Sequence, residues 1–174
     1  PDAPEDLRPQ FSLIQDVLKA LGICVIEEEG FEGDDILGSL SKKFGSDDLA
    51  VKIITGDRDN LQLITKHSHV LLTKKGISEM LEVTPDNMEE LYGYGPDKVI
   101  DMKALMGDSS DNIPGVPGVG EKTALKLITE YGTLESVYDH IEDISGKKLK
   151  ERLVENKDLA FLSRQLATIK TDMD

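Results

Sequence analysis

The spacing of apolar residues changes once along this chain, near Thr84, and that change limits the fold more than any other feature. Before it, two periods alternate. Residues 9–21 place Phe11, Ile14, Leu18 and Leu21 on one helical face, with Gly22 as a stop. Residues 23–26 read as a buried strand carrying a buried, inert Cys24. An acidic loop over 27–33 leads to a helix over 34–44 that should bury Ile36, Leu37, Leu40 and Phe44. A strand over 51–55, a short helix over 59–64, and strands over 70–73 and 77–83 joined by Lys74-Lys75-Gly76 complete this part. The alternation predicts an α/β layer with a largely parallel central sheet flanked by helices. After Thr84 helix follows helix: 85–92, 96–106, 120–131, 134–141, 148–156 and 158–165, with one strand expected at 166–169. Thr84-Pro85 is an N-cap followed by proline at the first helical position, and Gly132 is a C-terminal stop.

Composition excludes some classes and leaves others open. The 39% hydrophobic and 31% charged content is ordinary for a globular chain. No apolar run is long enough to span a bilayer, the start is not a secretory signal, and the single cysteine cannot form an internal disulfide, so a reducing cytoplasm is expected. A net charge of −14 argues against nucleic acid only if the acids are spread evenly. Acids gathered on divalent cations form a site that is locally neutral or positive once loaded. The chain starts without methionine and ends just after a predicted element, so it reads as a piece of something longer.

Three acidic clusters stand at the edges of predicted elements. Glu32, Asp34 and Asp35 open a helix, where the macrodipole favours anions. Asp57 and Asp59 follow the strand 51–55, at the carboxyl end where ligands of open α/β sheets gather. Asp108 and Asp111 lie in the Gly/Ser loop Gly107-Asp108-Ser109-Ser110-Asp111-Asn112. Alone, each cluster reads equally well as helix caps or Asx turns. Together they repel one another unless a cation neutralises them, and ligands that are all oxygen select Mg²⁺ or Mn²⁺ over Zn²⁺. The histidines add nothing to this set. An Asp-x-Asp after a strand also suits a small-molecule phosphohydrolase with an aspartyl nucleophile.

Directly after the third cluster, Ile113-Pro114-Gly115-Val116-Pro117-Gly118-Val119-Gly120 alternates apolar anchors with glycines and enters a helix beginning Glu121-Lys122-Thr123. Apolar residues can pin such a hairpin while glycine N–H groups face outward to a phosphate. That contact reads no bases and predicts sequence-independent binding of duplex DNA by Gly115, Gly118, Val119, Gly120, Lys122, Thr123 and Lys126. A bare structural hairpin is the plainer reading. A nucleotide loop is disfavoured, because neither a Gly-Lys-Ser/Thr sequence nor a preceding strand is present.

These motifs, in this order, resemble the bacterial 5′-nuclease family, related to the flap endonucleases and nearest the 5′→3′ exonuclease domains of DNA polymerase I; the similarity covers about residues 10–171. The resemblance implies a PIN-like α/β core over 1–106 and a helix-three-turn-helix region over 107–174. It implies a monomeric nuclease of the bacterial nucleoid, continuous with a polymerase domain, that cuts DNA flaps, nicks and RNA primers by two-metal hydrolysis. Glu32, Asp34 and Asp35 would hold one ion, with Asp57, Asp59, Asp108 and Asp111 holding the other; some members also keep a K⁺ at the hairpin. Family members carry a first strand with a metal-binding aspartate and a basic helical arch ahead of the part seen here. Their absence implies exposed strand edges and an inactive or weak fragment, and leaves a noncatalytic duplex-binding module as the alternative.

Overall fold

The computed structural model describes residues 4–76 and 78–173. Strand β1 (Val51–Thr55) pairs in parallel with β2 (Ser68–Lys75), and β2 pairs antiparallel with β3 (Glu79–Val83), giving a mixed three-stranded sheet in the order β1-β2-β3. The α/β class stands, and the expected hairpin across Lys74-Lys75-Gly76 is present; Ile77, its predicted first strand residue, lies outside the described residues. A 3₁₀ turn, Arg58–Leu63, follows β1 and seats Leu61, Leu63 and Ile64 against Ile53, Val70, Leu72 and Val83 to form the sheet core. Among the described residues nothing pairs with the outer edge of β1, and Ile54 is 60% exposed.

The N-terminal third departs from its pattern. Helix α1 (Arg8–Ala20) forms, but it buries none of its residues, and Phe11, Ile14 and Val17 face solvent. Residues 23–26 form no strand, and Cys24 is exposed. An apolar run becomes a strand only when it pairs with a neighbouring edge, and residues 23–26 pair with none of the described strands, although the outer edge of β1 is open. Helix α2 (Gly33–Phe44) packs by small residues: Gly38, Ser39 and Ser41 are buried, whereas Phe44 is exposed and Ile36, Leu37 and Leu40 are only half-buried.

The helical half has its own core. Helices α3 (Pro85–Tyr92), α4 (Val99–Met106), α5 (Glu121–Tyr131), α6 (Leu134–Asp139), α7 (Lys147–Glu155) and α8 (Lys157–Ala167) follow in order. Met102, Leu105, Val116, Leu127, Leu134, Val137 and Leu153 meet in the interior of this half. α4 belongs to both halves, since Val99 reaches the sheet core and Met102 and Leu105 the helical one. Burial all round leaves α4 two charged residues to neutralise, Asp101 and Lys103. Asp101 accepts from Leu134 N–H at 3.2 Å and from Arg164 at 3.4 Å, and burial still pushes its carboxyl upward.

The strand expected at 166–169 is absent. α8 continues through Ala167, and the chain beyond it runs without regular structure along α2. There Lys170 N–H donates to Asp35 Oδ1 at 2.8 Å and Met173 N–H to Ser39 Oγ at 3.2 Å. Gly38 permits this crossing, because a Cβ would lie 2.9 Å from Ile169 Cγ2 and 3.0 Å from Lys170 O.

Candidate functional site

An open cleft of about 960 Å³ lies between α2, the turn after β1 and the end of α8. Glu32, Asp34, Asp35, Asp57, Asp59 and Asp111 line it, so all three acidic clusters reach one place. Each is set by its local backbone. Glu32 is the N-cap of α2, and its N–H donates to Asp35 Oδ2 at 3.2 Å. Asp34 Oδ1 accepts from the fully buried Asn60 at 3.1 Å, and the amide oxygen of Asn60 has no partner. Asp57 caps the 3₁₀ turn by accepting from Asp59 N–H at 2.9 Å. Asp108 and Ile113 exchange two backbone hydrogen bonds of 2.8 Å, closing the loop that carries Asp111.

Asp59, Asp108 and Asp111 form the tight group: one oxygen from each lies within 4.8 Å of the others. The remaining four predicted ligands share the cleft but stand outside that group. Oxygen-only donors at this spacing suit a hard divalent cation, and no histidine takes part. Lys103 completes the arrangement. Its ammonium, on a residue only 5% exposed, hydrogen-bonds Asp59 Oδ1 closely and Asp108 Oδ2 at 2.7 Å. Lys103 pulls both acids down, yet their net shifts are opposite. Burial dominates at Asp59, aided by the charges of Asp57 and Asp111, and raises its pKa to about 6. Burial acts upward on Asp108 too, but Lys103 and two hydrogen bonds from Ser110 outweigh it and bring the carboxyl to about 2. Burial works against the Lys103 charge, yet the two carboxylates hold its pKa above the usual lysine value.

The hairpin is tied to this loop. Gly107 and Gly115 both have positive φ, +72° and +61°, and they pass so closely that a Cβ on Gly115 would lie 2.2 Å from Gly107 N. The expected outward display of N–H groups is corrected at two positions. Gly115 N–H donates inward to the buried Ser163 Oγ at 2.9 Å, and Val119 N–H to Val116 O at 3.0 Å; both residues are buried, and these bonds hold the turn closed. Gly118, Gly120, Lys122 and Lys126 are exposed and Thr123 is half-buried. Arg152 of α7 lies over Gly118 and donates to its carbonyl at 3.3 Å, adding a cation to this face.

Sequence reasoning missed Lys103, Arg152, Ser163 and the cleft wall at Arg164 and Lys170. Lys103 carried one usable signal, a cation inside an otherwise apolar helix just before the acidic loop.

Acids gathered in one cleft beyond the end of a strand, with a glycine hairpin following the last of them, are an arrangement suited to phosphodiesters. Residues 1–93 match the family described as 5′-3′ exonuclease, N-terminal resolvase-like domain, and residues 94–174 match 5′-3′ exonuclease, C-terminal SAM fold. The chain belongs to this 5′-3′ exonuclease family. It is 49% identical to DNA polymerase I of Bacillus subtilis and 47% to that of Bacillus caldotenax, each over 169 residues. These alignments take in 97% of this chain but 19% of either relative, so the chain spans about a fifth of the relatives it matches. Among solved structures, T5 5′-exonuclease with bound zinc ions superposes with a TM-score of 0.80 at 26% identity, covering 98% of this chain and 64% of that one. The catalytic core of Rad2 in complex with a DNA substrate shares the fold, with a TM-score of 0.67 at 19% identity over 99% of this chain and 58% of that one. Among the described residues no helix is long and apolar enough to cross a membrane.

Proposed function

We propose that this chain is the 5′-nuclease part of a DNA polymerase I and cleaves duplex DNA at 5′ flaps, nicks and RNA primers with two divalent ions, Mg²⁺ or Mn²⁺. The observation that carries the reading is the meeting of seven acids from three separate segments around one cleft and its adjoining loop. Asp59, Asp108 and Asp111 hold one ion, with Asp57 beside them; Glu32, Asp34 and Asp35 hold the other. When bound, such ions supply a water of lowered pKa and neutralise charge on the departing oxygen. The chain's own work is to orient. Asn60 fixes Asp34, the Lys170 N–H fixes Asp35, and the Asp108–Ile113 pairing fixes the third cluster.

Residues 107–174 grip the duplex in the same proposal, through Gly118, Gly120, Lys122, Thr123 and Lys126, with K⁺ as a further ligand of the hairpin. Residues 1–106 supply the other two acidic clusters. The backbone crossing of Gly107 and Gly115 fixes the separation of grip and cut. Cleavage of a 5′-flap duplex is measured with Mn²⁺ and with EDTA in the protein and in its Asp57→Asn and Asp108→Asn variants, with duplex affinity measured alongside. Cleavage should need the ion and fall by 10²-fold or more, on the order of one lost transition-state contact, while duplex affinity stays. Undiminished cleavage in both variants refutes the metal roles, and duplex binding without any cleavage favours the noncatalytic module.

A further inference from the structure

The ammonium of Lys103 bonds two of the three carboxylates that could hold a divalent ion. A hard cation sits about 2.0–2.4 Å from carboxylate oxygens. The Lys103 nitrogen already bridges Asp59 Oδ1 and Asp108 Oδ2, at 2.7 Å from the latter, and Asp111 brings an oxygen to within 4.8 Å of one oxygen of each of these carboxylates. An ion sharing the same two oxygens would stand within about 3 Å of that nitrogen, where like charges in a partly buried site repel strongly and the atoms overlap. Lys103 cannot yield by a small rotation into water, because its side chain is 6% exposed and its helix is packed on all sides.

We propose that Lys103 is a resident counter-cation that holds Asp59 and Asp108 together before metal arrives and must leave when the ion enters, so that this ion is the more weakly held of the two. The inference rests on the metal reading above. It explains how acids from two separate segments stay within hydrogen-bonding reach of one point with no cation bound. It also makes ion binding a conformational step: the measured affinity is the intrinsic one reduced by the fraction of molecules in which Lys103 has swung out. Lys103 is thus a positioning residue that sets the order and strength of ion loading.

The test is direct measurement of Mn²⁺ binding, by calorimetry and by the electron paramagnetic resonance signal of free Mn²⁺, in the protein and in its Lys103→Met and Lys103→Arg variants. Lys103→Met removes the competitor and should tighten one binding event by at least about tenfold, while Lys103→Arg keeps the cation and stays near the parent. Binding in the parent with no tightening in Lys103→Met overturns the inference and leaves the metal site standing. No Mn²⁺ binding in either overturns both. Should Lys103→Met fail to fold, the parent decides: reductive methylation of Lys103, followed by peptide mass spectrometry, should accelerate several-fold when Mn²⁺ is saturating, and an unchanged rate overturns the inference.

Discussion

Replacing Gly115 by alanine tests whether the acidic loop and the hairpin are one rigid unit. The position has φ +61°, a region that costs an L-residue roughly 1–2 kcal/mol. The new Cβ would meet Gly107 N at 2.2 Å, Gly107 Cα at 2.6 Å and Met106 C at 2.6 Å. Ordinary contacts of this kind lie near 3.5 Å, so two backbone segments must part by about 1 Å or more. Overpacking of a fixed interior adds about 1–3 kcal/mol, for a total of roughly 2–5 kcal/mol. Two other glycines of the same hairpin grade the effect. At Gly118, φ is +78° but the obstacle is the Arg152 guanidinium at 2.4 Å, a flexible group that can move, so strain alone should remain, about 1–2 kcal/mol. At Gly120 nothing lies within 4 Å and φ is −101°, so alanine should change stability by less than about 0.5 kcal/mol. Urea unfolding followed by circular dichroism gives the three values, and Mn²⁺ titration asks whether Gly115→Ala, whose obstacle is the residue before Asp108, also weakens the ion. If Gly115→Ala is no more damaging than Gly118→Ala, the two loops are not locked as the geometry requires.

Ser163→Ala should destabilise by about 1–3 kcal/mol, because the buried Gly115 N–H loses its acceptor at 2.9 Å, while Leu159 O, which takes the serine hydroxyl, keeps its helical partner. Urea unfolding reads this, and a change below about 0.5 kcal/mol would show that the hydroxyl does not secure the turn. Asp59 makes the metal-free protein pH-sensitive. Its folded pKa, about 6, lies above the ordinary 3.8, so its contribution to stability is fully present below 3.8 and is lost as pH rises through 6. Asp108, held at about 2, acts in the opposite sense, and its contribution is lost as pH falls below 3.8 toward 2. Relative to Asp59→Asn, the parent should therefore lose stability between pH 4 and 6.5 in EDTA, on the order of 1 kcal/mol once solvent screening is allowed for, and a difference that stays flat across that range removes burial as the cause.

What the sequence made legible was what lies contiguous in it. Asp57 and Asp59 on a 3₁₀ turn after β1, Glu32 to Asp35 at the mouth of α2, and the loop from Gly107 to Gly120 each declare themselves within a few residues, and all three reach the same site. Apolar runs misled where burial depends on a distant partner. Residues 23–26 have a strand's composition but pair with none of the described strands, and of the α1 stripe Phe11, Ile14, Leu18 and Leu21 only Leu18 is half-buried. The role of Lys103 at Asp59 was hidden for the same reason, since Asp59 is 44 positions away.

The faces that build the site share a property that hydrophobic periodicity does not report. α2 turns Gly38, Ser39 and Ser41 inward, and α8 turns Ala160, Ser163 and Ala167 inward. Both helices bring another backbone within hydrogen-bonding distance: α2 receives the segment that donates to Asp35, and α8 receives the Gly115 N–H. A large side chain at either contact would hold the two backbones several ångströms apart, breaking both hydrogen bonds and leaving the Gly115 N–H buried without an acceptor. Small size is therefore the requirement that places the acids, and a rule that scores apolarity assigns these faces to solvent. The end of α8 gives little sign of helix in the same way, since its inward residue there is Ala167 while Leu166 is exposed. In a nuclease core of this kind the precise part of the fold is written in glycine, alanine and serine, and substitutions that enlarge those faces should damage metal binding before they damage the core.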